Sequence, residues 1–198
     1  MLSPTDIFNA ISWEIMQSIK HIGWTAHPSD VGGNRTDWEV YRTVGEVYMG
    51  RRKLRNVVAV HVRRDDITSS YACRWVGIEY YCKVLEQVRD VNPAIPIEVY
   101  TDGSVEDIEP LMKYRIGLCA GGDPVRTMEN LVNAAVLVTS KSMFCTVAAY
   151  ASHGLKLSIG FPPHWCGFES NSDVCPVSDG GDFDGDVLAR RISGGFVI

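Results

Sequence analysis

Between residues 56 and 160 the chain switches repeatedly between two periodicities, and this restricts its fold more than any other feature. Val57–Val62 is a short, β-branched apolar run, and further strands are expected over Ile97–Tyr100, Tyr114–Cys119, Val136–Thr139 and Leu155–Gly160. A run like the first suits a strand covered on both faces. The segments between them carry helical spacing. Ile78, Tyr81, Cys82, Leu85 and Val88 lie on one stripe, Ser104-Val105-Glu106-Asp107 reads as a capping box, and helices are predicted over Val125–Ala134 and Ser142–His153. Strand and helix in strict alternation predict an α/β fold: a Rossmann-like, mostly parallel sheet with helices on both faces.

The flanks read differently. Ser3-Pro4-Thr5-Asp6 opens a helix expected from Pro4 to His21, and a second is expected from Asp37 to Met49. Residues 1–55 therefore read as an N-terminal helical extension and 56–198 as the Rossmann-like domain. Beyond Phe161 the chain is rich in glycine, proline and aspartate, with a short helical segment expected over Val187–Ile192. The aromatic faces of the two N-terminal helices (Trp13; Trp38, Tyr41 and Tyr48) suit a homodimer.

The net charge of −5 argues against a general nucleic-acid or anionic-membrane binder. No run approaches transmembrane length and the N-terminus lacks the basic start of a signal peptide, so a cytoplasmic location is expected. The six cysteines include no C-x-x-C pair, and no metal site is expected. G-x-G-x-x-G, G-x-x-x-x-G-K-[ST] and G-x-S-x-G are all missing, which sets aside glycine-rich dinucleotide binding and α/β-hydrolase chemistry.

In an open parallel sheet, ligands bind outside the carboxyl ends of the strands. Those ends carry His61-Val62-Arg63-Arg64, Thr101-Asp102-Gly103 and Thr139-Ser140-Lys141-Ser142. Arg63 and Arg64 have the donor geometry to grip phosphate oxygens, or they form a surface salt bridge with Asp65 or Asp66. Ser140 and Ser142 cap the next helix, or their hydroxyls and its first N–H groups hold a diphosphate. His61 packs in the core or lines the site. Asp102 makes a turn or faces a nucleotide.

His61-Val62-Arg63-Arg64-Asp65-Asp66 resembles the H-x-R-R-G-D type motif of the α-1,6- and α-1,2-fucosyltransferase superfamily. Glu79-Tyr80-Tyr81, Val99–Gly103 and Leu137-Val138-Thr139-Ser140-Lys141-Ser142-Met143-Phe144 follow in the order and spacing of fucosyltransferase-like proteins, so the resemblance covers roughly residues 56–165. It implies the C-terminal, donor-binding half of a GT-B glycosyltransferase. The implied reaction transfers fucose from GDP-fucose, or the sugar of another sugar nucleotide, to a glycan acceptor hydroxyl, with inversion and without a metal or other cofactor. By the same resemblance Arg63 and Arg64 hold the diphosphate, and Arg64 offsets charge on the leaving group. His61 lines the nucleotide site, Asp102 lies near guanine or ribose, and Ser140 and Ser142 lie near the phosphates. Asp66 is the candidate base, with Glu79 behind it.

Two departures shape the alternatives. Asp65 stands where the motif carries glycine and brings negative charge beside the expected diphosphate. Residues 1–55 are fewer than the roughly 100 a second Rossmann domain needs. The acceptor half is thus expected to be reduced to the two helices, missing, or supplied by another chain. A non-catalytic sugar-nucleotide or glycan-binding module is the competing reading, and a structural domain whose arginines only make salt bridges is the third.

Overall fold

The computed structural model describes residues 53–64, 67, 73–160 and 173–193. The two N-terminal helices, the dimer they suit, and Asp65 and Asp66 lie outside the described residues. Six strands form one sheet: β1 (Arg55–Val62), β2 (Ile97–Thr101), β3 (Ile116–Ala120), β4 (Ala134–Val138), β5 (Leu155–Ser158) and β6 (Val174–Pro176). Every pairing is parallel and the spatial order is β3-β2-β1-β4-β5-β6. This is the doubly wound Rossmann order, in which the chain starts at the centre, builds outward one way, then returns to build the other.

Alternation along β1 sorts the core into two layers. Val58, Val60 and Val62 pack in one cluster with α1 (Ile78–Val91), the 3₁₀ helix Glu106–Tyr114 and α4 (Gly185–Ser193). Val57 and Ala59 pack in the other with α2 (Pro124–Val132) and α3 (Met143–Ala151). Helices therefore cover both faces, as the apolar run of β1 requires.

The helices follow from local sequence. α1 buries Tyr80, Tyr81, Val84, Leu85 and Val88; of the stripe expected from spacing Tyr81, Leu85 and Val88 are buried, while Ile78 and Cys82 sit at its half-exposed margin. Each such buried side chain contributes about 1.5–3 kcal/mol on leaving water. α2 opens on Asp123, whose carboxylate accepts the Val125 N–H at 3.1 Å, with Pro124 in the first turn. α3 carries no charge in its first or last turn and is buried along most of its length.

Two elements differ from expectation. The segment after Ser104 is a 3₁₀ helix containing Pro110, which lacks the N–H an α-helix interior needs. Its entry still shows the box-like contact, the Ser104 N–H donating to Asp107 at 2.8 Å. β6 was not expected, because three residues are too few to show a period.

Close approach, rather than backbone freedom, demands glycine at two positions. A Cβ on Gly154, in the turn from α3 to β5, falls 2.2 Å from the Ala134 carbonyl oxygen at the start of β4. A Cβ on Gly103, just past β2, falls 2.5 Å from the Cβ of Arg64.

Candidate functional site

The strand order reverses between β1 and β4, so their carboxyl ends lie side by side at the topological switch point, where open sheets of this kind place a ligand crevice. Leaving β1 are His61, Arg63 and Arg64; leaving β4 are Thr139, Ser140 and Ser142. A hydrogen bond closes the space between the two groups: His61 Nδ1 lies 2.7 Å from Ser140 Oγ. The Phe144 ring, from the first turn of α3, stacks on the His61 imidazole with centroids 5.7 Å apart. Residues 79 apart in sequence thus form one polar edge.

His61 is buried, and its imidazole pKa is pushed down to about 3, first by burial and then by the charge of Arg63. It is neutral at pH 7. The unfolded chain takes up the proton near pH 6.5 and the folded protein only near 3. His61 therefore contributes stability that is complete above pH 6.5 and is lost as pH falls toward 3, with a limiting slope of about 1.4 kcal/mol per pH unit. In thermal unfolding from pH 7 to pH 4, His61→Gln is expected to show a shallower decline than the wild type, since glutamine has no proton to gain. Parallel curves would contradict the buried neutral imidazole.

Ser140 and Thr139 are fully buried. Ser142 is the N-cap residue of α3, but its side chain makes no capping bond and the first turn holds no acid. The positive end of the helix dipole thus meets no acid within the helix's own first turn. Lys141 is partly exposed beside it.

The two arginines sit in different surroundings. Arg63, with its side chain 30% exposed, pairs with Asp102 at the end of β2. Arg64 is buried. Its Nη1 donates to the carbonyls of Arg63 (2.8 Å) and Val76 (3.0 Å), and its guanidinium stacks 4.3 Å over the Trp75 ring. Its Nη2 is buried without a hydrogen-bond partner. Asp102 takes the Arg64 backbone N–H at 2.7 Å through its other carboxylate oxygen.

Three more buried hydroxyls lack a partner: Tyr80 and Tyr81 in the first turn of α1, and Thr139. Burial raises the pKa of both tyrosines far above the ordinary value, so both remain donors. Leaving such groups unpaired costs about 1–3 kcal/mol each. The unpaired Arg64 Nη2 and Thr139 hydroxyl lie just past β1 and β4, and Ser142 opens α3 without a side-chain cap; donors so placed suit an oxygen-rich anion.

The structure brings together His61, Ser140 and Phe144, and separately Arg63, Arg64 and Asp102, at adjacent strand ends. Glu79 is exposed in the first turn of α1, and Asp66 lies outside the described residues. Sequence reasoning missed Trp75 and the Val76 carbonyl, since neither a stacking ring at this distance along the chain nor a backbone acceptor leaves a pattern. Among the described residues no group of three or more His, Cys, Asp or Glu is gathered for a metal ion, and no helix is long and apolar enough to cross a membrane.

Fold and edge together define a doubly wound α/β protein with a polar edge at its switch point. No protein-family model and no curated protein matches the chain. Among solved structures it is similar to POFUT1 in complex with GDP, at 16% identity over 66% of this chain and 52% of that one, with a TM-score of 0.36. POFUT1 in complex with GDP-fucose is similar at 16% identity over 66% and 51%, with a TM-score of 0.36. The chain spans about half the length of these structures.

Proposed function

We propose that the β1–β4 crevice binds the diphosphate of a sugar nucleotide, and that the domain is the donor-binding half of a fucosyltransferase-like glycosyltransferase using GDP-fucose. The observation that carries this reading is the His61–Ser140 hydrogen bond, which joins the two motifs at the switch point. Arg63 and the start of α3, with Ser142, supply donors to the phosphates, and the buried Ser140 holds His61 beside them. The sealed Arg64 acts through its field, which is weakly screened in a buried site. The resemblance of His61–Asp66 and Thr139–Phe144 to the fucosyltransferase motifs narrows the donor to GDP-fucose.

In the proposed step an acceptor hydroxyl attacks the sugar's anomeric carbon from the face opposite the diphosphate. The new C–O bond forms as the bond to the diphosphate breaks, GDP departs with the electron pair, and Asp66 takes the hydroxyl proton. The Arg63 guanidinium on the leaving phosphates, with the field of Arg64 behind it, does the work a metal ion does elsewhere. A second reading, a sugar-nucleotide or glycan-binding module that performs no transfer, is favoured by the burial of Arg64, because a sealed guanidinium cannot follow a leaving group.

Thermal shift with GDP, GDP-fucose, UDP and UDP-sugars tests the proposal. At a hundred times the dissociation constant, stabilisation of about 2.7 kcal/mol is expected from the guanine nucleotides. That is a rise of about 5–10 °C for a domain this size. GDP release that depends on an acceptor glycan selects transfer, and binding without donor turnover selects the module. No response to any nucleotide overturns both.

A further inference from the structure

Asp102 was expected near guanine or ribose, yet both of its carboxylate oxygens face the arginine turn. Oδ1 accepts the Arg64 backbone N–H at 2.7 Å and Oδ2 accepts from Arg63 Nη1. The turn that carries Asp102 is itself held: the Gly103 N–H donates to Thr101 Oγ1 at 3.0 Å. Gly103 lies so close to Arg64 that a Cβ there would fall 2.5 Å from Arg64 Cβ and 2.9 Å from its Cγ. The ends of β1 and β2 are thus one interlocked unit, with the carboxylate as its link. A long, flexible arginine at a strand end loses considerable rotamer freedom when it grips a ligand, and a partner already holding its guanidinium removes part of that cost beforehand.

We infer that Asp102 is a positioning residue that fixes the Arg63 guanidinium and the Arg64 backbone at the mouth of the crevice, and that it acts on a bound diphosphate only through them. The role in binding rests on the nucleotide reading above; the fixing of Arg63 does not. Asparagine separates the two contacts. Asp102→Asn keeps an oxygen for the Arg64 N–H but turns a donor toward Arg63, so it breaks the Asp102 contact to Arg63 while preserving the turn.

Two measurements test the inference. The first is a double-mutant cycle on GDP affinity with Arg63→Ala, Asp102→Asn and the pair, read by calorimetry. Asp102→Asn is expected to weaken GDP about five- to twentyfold, and the double variant to bind no more weakly than Arg63→Ala alone. Additive losses would mean that Asp102 touches the ligand itself. Tighter binding in Asp102→Asn would mean that the carboxylate competes with the phosphates. Either result overturns the inference.

The second needs no ligand. In ¹⁵N–¹H spectra of the arginine side chains, a guanidinium held at Nη1 gives separate Nη signals in the wild type, and in Asp102→Asn these draw together as the Asp102 restraint is lost. Merged signals already in the wild type overturn the inference. Wild-type protein that ignores GDP but shows the held guanidinium rejects the nucleotide reading and leaves the positioning intact. Should Asp102→Asn fail to fold, Asp102→Glu, which keeps the charge one methylene further out, enters both measurements in its place.

Discussion

Gly154→Ala is expected to destabilise the domain by about 3 kcal/mol, the upper part of the range for forced overpacking, and to lower its melting temperature by about 6–12 °C. The added carbon would fall 2.2 Å from the Ala134 carbonyl oxygen, 2.9 Å from that of Ala135 and 3.1 Å from the Ala135 carbonyl carbon. All three are backbone atoms, so no rotamer change relieves the contact. They belong to the start of β4, whose residues are fully buried and which pairs with β1 on one side and β5 on the other. Moving β4 away disturbs both ladders, and the strand that carries Thr139 and Ser140 to the crevice moves with it. Gly122→Ala is the control. Its added carbon meets nothing nearer than Thr127 Oγ1 at 3.7 Å, and a change within about 0.5 kcal/mol is expected. Equal melting temperatures for the two variants would contradict the packing of the α3–β5 turn under β4.

Much of the architecture was legible in the sequence because it rests on periodicity. Five strands and the helices between them fall where apolar runs and helical stripes place them. Strand–helix alternation implies a parallel sheet, and parallel sheets gather strand ends at one edge. What periodicity cannot express is which distant residues meet there. His61 and Ser140 are joined only because β1 and β4 are neighbours, and the strand order decides that. Nor does the motif distinguish Arg63 from Arg64. Burial does: Arg64 turns inward beneath Trp75 toward the α1 side, while Arg63 stays half-open against Asp102. The Asp102 contact was missed because the sequence offered Asp65 and Asp66 as nearer partners, whereas the parallel neighbour β2 ends beside the arginine turn. β6 escaped for want of length, and the 3₁₀ segment because apolar spacing over so short a stretch resembles an α-helix.

Arg63→Ala should produce the largest change in function. Its side chain is the more open of the pair, and it belongs to the turn that Asp102 and Gly103 hold. A charge-assisted hydrogen bond to a phosphate is worth about 1.5–3 kcal/mol, so GDP is expected to bind about tenfold to more than a hundredfold more weakly. The effect on stability should be small, since a partly exposed ion pair contributes about 0–1 kcal/mol. Arg64→Ala makes a poor probe of the same question. It removes the stacking on Trp75 and the donor to the Val76 carbonyl, so lost folding would obscure lost binding.

The central claim is that this crevice recognises a diphosphate, and calorimetric titration of wild type and Arg63→Ala with GDP and with guanosine tests it most directly. The account predicts clear GDP binding by the wild type, little or no guanosine binding, and a GDP affinity that collapses toward the guanosine level in Arg63→Ala while the protein stays folded. Equal affinities for GDP and guanosine, or a GDP affinity unchanged by the loss of Arg63, would contradict it.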